Sequence, residues 1–309
     1  MKTLYESLLD DFDTLAAPLS AKAIREQIKE FLKQTYGNLS NAKISSKPNE
    51  DGLYVVDWNG DILIRDRDAE RLTNGLFIFG EVTGTFRCNQ IKKLKSIEGA
   101  PKIVRGNFDC NLCSYLESLK GGPQLVEGNF ICDWCESLTN LEGAPKEVGR
   151  DFICSYCKSL KSLEGAPQKV GGEFVCIACS GLTNLQGAPK EVGTHFKCSY
   201  CDSLKSLEGA PQKVRQSFIC NSCCKIQSLK GAPKEVGGNF VCSYCDSLKS
   251  LEGAPKEVGY GFDCSGCESL TSLKGVPKKV GGNFVCDKTF TTNQVEKVSK
   301  VLGDIKINQ

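Results

Sequence analysis

The apolar residues of this chain recur on one fixed, 22-residue period. It is marked by Phe86, Phe108, Phe130, Phe152, Phe174, Phe196, Phe218, Phe240, Phe262 and Phe284, with no insertion between them. Two positions beyond each comes a cysteine, from Cys88 to Cys286, and three further on comes a second in eight of the ten units, from Cys113 to Cys267. A leucine pair at spacing three and a proline turn complete the unit, as in Leu248-Lys249-Ser250-Leu251-Glu252-Gly253-Ala254-Pro255-Lys256-Glu257-Val258-Gly259. Such self-similarity marks a stacked array, in which each unit buries its apolar face against its neighbours only.

Phe-x-Cys alternates with period two, which predicts a short strand with both side chains inward. The leucines fit a tighter turn facing the same core. Pro255 fixes φ and lacks an N–H, and Gly259 after Val258 permits a tight return. With strands about 4.8 Å apart, ten coils make a parallel ribbon roughly 48 Å long. Identical residues then form columns: one of Phe, two of Cys, two of Leu and one of Val. The expected core is represented by Phe130, Cys132, Cys135, Phe152, Cys154, Cys157, Phe240, Cys242 and Cys245. The fold class is α+β: a parallel β-solenoid over 86–288, a small α+β cap over 1–85 and a capping helix within 289–309.

The flanks carry their own signals, because a solenoid with bare ends exposes both core and sheet edge. Ser20 is placed to cap a helix over Ala21–Tyr36, with Ile24, Ile28, Phe31 and Leu32 as its apolar face and Gly37 at its end. Leu53–Trp58, Asn59-Gly60 and Asp61–Arg65 spell a two-residue β-hairpin, and Leu76–Phe79 reads as a further strand. At the other end Asn293 and Glu296 fit a capping box opening a helix with Val295, Val298, Val301 and Leu302, ended by Gly303. Ile305–Ile307 adds a short strand.

Charge changes the picture little. Thirty-nine Lys plus Arg balance 37 Asp plus Glu, which gives no net attraction for nucleic acid. No apolar run reaches membrane-span length, and Met1–Ser7 lacks the apolar segment of a secretory signal. A reducing cytosol is therefore the expected location, which the 19 cysteines challenge. Successive Cys-x-x-Cys pairs, separated as Cys113 is from Cys132, match zinc-ribbon spacing. Yet Ile91 and Thr289 stand at the second-Cys position of the first and last units, and an Ile there can fill a core but cannot bind a metal. Column neighbours could also pair as disulfides, but nineteen is odd and no export signal is evident. The preferred reading is core: a small hydrophobe with a weak S–H donor that helps satisfy carbonyls in the bend after the strand. Cys224, off the pattern, is the expected exposed thiol.

At this point the chain resembles the leucine-rich-repeat family. Its Phe-x-Cys-x-x-Cys-x-x-Leu is similar to the family's Leu-x-Leu-x-x-Asn/Cys-x-Leu core, with one extra residue before the last Leu as in cysteine-type variants. The phrase Ser-Leu-Glu-Gly-Ala-Pro-Lys-Glu-Val-Gly-Gly-Asn-Phe resembles repeats of uncharacterised proteins of large tailed bacteriophages. It is also similar to Cys-x-Ser-Leu-x-Ser-Leu repeats of bacterial surface proteins. The resemblance covers about two thirds of the chain. It implies a recognition scaffold acting in an infected host's cytoplasm or within the virion.

No catalytic constellation emerges. His195 is the single histidine and precedes Phe196 on the outward side, and no Gly-x-x-x-x-Gly-Lys-Ser/Thr loop occurs. The recurrent Glu and Lys pairs read as a solvated, charge-mixed face. What remains is the outward sheet surface, where Ile131, Ile153 and Val175 adjoin Trp134, Tyr156, Tyr200 and Tyr244, with His195 and Lys197 interrupting the stripe. Apolar rows beside aromatics mark protein interfaces, although β-branched residues also simply favour strands. The expectation is a non-enzymatic, monomeric protein-binding scaffold with a protein partner, no cofactor or metal, and no nucleic acid or membrane. The alternatives are a zinc-binding Cys-x-x-Cys repeat protein and a bacterial surface adhesin.

Overall fold

The computed structural model describes residues 19–37, 39–64 and 69–308. In chain order, α1 (Ala21–Tyr36) leads to β1 (Ala42–Ile44), β2 (Tyr54–Trp58), β3 (Ile62–Leu63), β4 (Phe77–Val82) and β5 (Phe86–Arg87). Each repeat unit then adds two strands, from β6 (Ile103–Val104) and β7 (Phe108–Asp109) to β22 (Lys279–Val280) and β23 (Phe284–Asp287). The chain closes with α2 (Thr292–Glu296), β24 (Lys300–Val301) and β25 (Ile305–Asn308).

The strands sort into two sheets. The Val strands form one of 13 strands in the order β1-β2-β4-β6 through β24, and the Phe strands form one of 12, from β3 to β25. Every pairing is parallel except β1 with β2. Phe152 pairs with Phe130 on one side and Phe174 on the other, and Val148 with Val126 and Val170, so the register is the repeat itself. The solenoid, its period and its sparse helices follow the sequence expectation.

Columns result, as the alternation requires. The Phe column runs fully buried from Phe86 to Phe284, its rings stacked at centroid distances of 5.0–5.5 Å. The first Cys of every unit is buried beside it, as are both leucines of six of the ten units, with Ile97 and Ile226 taking the place of one in two others. Each turn Leu-Glu-Gly-Ala closes with an N–H to carbonyl bond, such as Ala166 N to Leu163 O at 2.9 Å, around a Gly at positive φ. That left-handed third position is what a type II turn demands. The Gly after Val serves a different need: a Cβ at Gly193 would strike the Gly171 carbonyl oxygen of the coil before. Close approach fixes that glycine.

Both flanks differ from the sequence expectation in the same way. β2 and β3 are not a hairpin. Trp58 pairs with Val82 in the Val sheet, while Ile62 pairs with Phe86 in the Phe sheet. Asn59-Gly60 is a corner between sheets, and the Asp61 carboxylate accepts from Thr85 N at 2.7 Å. Arg65 lies outside the described residues. At the C-terminal end the capping box is Thr291 with Gln294, just before the expected Asn293 with Glu296, and α2 stops at Glu296 rather than near Gly303. Val301 instead pairs with Val280, and Ile305 with Phe284. These flanks are degenerate coils, and the stack runs through the expected boundaries at 85/86 and 288/289.

α1 matches its prediction. The Ser20 hydroxyl accepts from Ala23 N, Gly37 ends the helix, and Ile28 and Leu32 are buried. Its Phe31 ring meets Phe77 at 5.8 Å, and Tyr36 meets Trp58 and Phe79 at 5.7 and 5.9 Å. The aromatic end of α1 thereby covers the first coils.

Candidate interaction surface

Beyond each Phe strand the backbone turns through Cys-x-x-Cys. The strand is too short for the first Cys carbonyl to join the ladder, so the second Cys of the next coil supplies a donor. The Cys157 thiol donates to Cys132 O at 3.3 Å and Cys245 to Cys220 O at 3.4 Å; the same bond recurs from Cys113 to Cys267. Burial pushes these thiols up, so they stay protonated and keep the proton they donate. Only Cys224 among the nineteen is exposed. Among the described residues no three His, Cys, Asp or Glu side chains converge to hold a metal ion, and no helix is long and apolar enough to cross a membrane.

The residue just before the second Cys carries the surface. Gln90, Leu112, Trp134, Tyr156, Ala178, Tyr200, Ser222 and Tyr244 all adopt left-handed backbone, with φ between 56° and 60°, and Gly266 ends the column at 67°. These amides donate to the next coil, as Tyr156 N does to Ile177 O at 2.8 Å. The conformation is thus fixed by the stack, whatever residue occupies it. It costs a side chain with a Cβ about 1–2 kcal/mol, and a large aromatic, like a β-branched residue, is an unusual occupant. Trp134 and Tyr156 nonetheless stand here, 40% and 39% exposed, with rings stacked at 4.2 Å and 8°. Tyr200 and Tyr244 are 55% and 60% exposed. Leu112, 43% exposed, extends the strip one coil earlier.

The sheet row beside this column is placed less uniformly than the alternation suggests. Ile131 and Ile153 are half-buried and adjacent in register. Val175 is buried, at 8% exposure, and so offers little to a partner. His195 belongs to a different device. Except at Glu173 and Gly261, the residue before the Phe caps the corresponding amide of the next coil, as Asn107 Oδ1 accepts from Asn129 N at 2.8 Å and Asn239 Oδ1 from Gly261 N at 2.9 Å. His195 Nδ1 accepts from Ser217 N at 3.2 Å in that ladder. Lys197 is committed to Glu173 at 2.7 Å. The two polar residues that break the stripe therefore hold the scaffold, and the surface concentrates on Leu112, Ile131, Trp134, Ile153 and Tyr156.

Asp133, between Cys132 and Trp134, carries no mark in the sequence. Burial pushes its carboxyl up to about 6, against the Ser155 amide that donates to it at 2.6 Å, and nearby Asp109 adds to the rise. Its residue type gives no hint, since the same column holds Asn111, Ser155 and Ile177. The left-handed column itself is legible: its occupants include no Val, Ile or Thr, the residues such backbone excludes, and one Gly.

The opposite sheet offers a shallow groove of about 1000 Å³ floored by Gly237, Gly259 and Gly281. Two of its five cations are paired, Lys213 with Glu235 at 2.7 Å and Lys279 with Glu257 at 3.9 Å, while Arg215, Lys234 and Lys256 make no ion pair among the described residues, so the groove is basic. No protein-family model matches the chain, and no curated protein is similar to it.

Proposed function

We propose that the protein is a non-enzymatic, monomeric binding scaffold that recognises a protein partner with its left-handed aromatic column and the adjoining Phe-sheet row. One observation carries this reading. Bulky aromatics are retained, half-exposed, at backbone positions that Gly or Asn would occupy with less strain, and such outliers concentrate where a surface is used. The coils hold these side chains on a rigid support, so little conformational entropy is lost on docking. Trp and Tyr supply much contact area for few rotatable bonds. The repeat's likeness to leucine-rich repeats and to tailed-phage proteins supports a phage-encoded scaffold acting on a host or virion protein in the host cytoplasm or particle.

The test is capture from lysate of a bacterial host by the immobilised chain and by its Trp134→Ala/Tyr156→Ala variant. The reading expects captured proteins that the variant loses. An unchanged captured set contradicts it.

A further inference from the structure

The column contains a second, longer period. The segment Cys-Ser-Tyr-Cys-Asp-Ser-Leu-Lys-Ser-Leu-Glu-Gly-Ala-Pro occurs identically at 198–211 and 242–255, and at 154–167 with one change, Lys158 for Asp. Tyr156, Tyr200 and Tyr244 are thus spaced every second coil, while Ala178, Ser222 and Gly266 hold the same backbone position between and after them. The exposed rings flank the small, half-buried Ala178 and Ser222, which leave slots between them, while the Tyr244 ring leans over Gly266, where a Cβ would strike it. Adjacent coils stay in backbone contact through this corner, as Tyr200 N to Asn221 O at 3.0 Å and Ser222 N to Ser243 O at 2.8 Å show. The ridges therefore repeat at about 9.6 Å, twice the strand spacing.

Carboxylates accompany two of them, Tyr200 and Tyr244, whereas Lys158 stands at that place beside Tyr156 and is paired with Glu136 at 2.8 Å. Asp202 and Asp246 are exposed, make no ion pair among the described residues, and lie on either side of Cys224, whose thiol is raised by burial and then by these two charges. A ligand that reads this stretch needs an apolar feature and a positive charge at the same interval of about 9.6 Å. A polyproline II helix has three residues per turn and advances about 9.3 Å per turn. Its backbone forms no internal hydrogen bonds, so its carbonyls are free to accept from tyrosine hydroxyls, and aromatic ridges are the usual receptors for it.

We propose that the Tyr156–Tyr200–Tyr244 ladder docks a proline-rich peptide in polyproline II conformation bearing a basic residue at every third position, its prolines in the slots and its cations over Asp202 and Asp246. This rests on the protein-binding reading and names the partner's chemistry. The mismatch of about 0.3 Å per turn accumulates slowly, so three ridges engage one continuous segment.

The probe is a dye-labelled (Arg-Pro-Pro)3 peptide titrated with the full chain and followed by fluorescence anisotropy. Saturable binding is expected, weaker by about tenfold or more for (Arg-Gly-Gly)3, which has the same charge without the helix. Tyr200→Ala/Tyr244→Ala should weaken (Arg-Pro-Pro)3 by a similar factor, and the fold tolerates small residues there, as Ala178 and Ser222 show. Ser222→Tyr fills a slot without removing a ring, and the Trp134–Tyr156 stack shows that adjacent coils accept two rings; it too should weaken binding by about tenfold or more. Absence of binding, equal binding of both peptides, indifference to Ser222→Tyr, or capture of a β-1,4-linked glucose oligosaccharide by the same tyrosines overturns the proposal. If peptides fail while capture still depends on Trp134 and Tyr156, this inference falls and the protein-binding reading stands.

Discussion

The bond from each second cysteine to the preceding coil explains why this chain carries so many thiols. A buried carbonyl left without a donor costs about 1–3 kcal/mol, and the Cys side chain supplies that donor while filling an apolar slot. Cys157→Ala should therefore lower the urea midpoint, because Cys132 O loses its partner and a cavity opens. Cys224→Ser should leave the midpoint unchanged. Alkylation of the folded chain should modify Cys224 alone, as read by peptide mass spectrometry; rapid labelling of the columns would contradict their placement. Asp133 gives a pH signature. Its folded carboxyl titrates at about 6, above the ordinary 3.8, so the folded state holds the extra proton between those values. Stability from this group is present below about pH 4 and lost as the pH rises through about 6. Urea midpoints measured across that window should fall less in Asp133→Asn than in the parent chain, and equal slopes would remove Asp133 as the cause.

At the scale of elements, the period is fully legible in the sequence and its corners are not. Phe-x-Cys and the leucine pair announce inward columns through alternation alone. Asn59-Gly60 between two apolar runs carries the same signal as a hairpin, and local turn chemistry cannot separate a hairpin from a corner between two sheets. What decides it is distant pairing, of Trp58 with Val82 and Ile62 with Phe86, both in the following coil. Val301 and Leu302 likewise suit a helical face by spacing, yet Val301 finds a strand partner in Val280 of the coil before. Among the site residues, Trp134 and Tyr156 can be chosen from the sequence as outward aromatics. The commitments of His195 to Ser217 and of Lys197 to Glu173 depend on the neighbouring coil and are invisible in it. Stacking also makes a sharp demand on the glycine after Val. Gly193→Ala should destabilise the array by about 1–3 kcal/mol, because the Gly171 carbonyl has no room to withdraw without breaking register. A thermal melt that does not move would show that the coils can separate locally.

For the whole molecule, stability is close to a sum of coils and their interfaces, so the end coils matter most. Removal of residues 289–309 should expose Phe284, Cys286 and the edge of β23, and size-exclusion chromatography should then show more self-association than the full chain does. A shortened chain that stays monomeric would show that the last coil is dispensable. The left-handed aromatics are proposed to serve recognition, at a cost to folding. The most direct test is the urea midpoint of a variant in which Trp134, Tyr156, Tyr200 and Tyr244 are all replaced by Asn. Relief of backbone strain predicts a midpoint equal to or above that of the parent chain. A clear fall would show that the rings hold the fold together, and would contradict the claim.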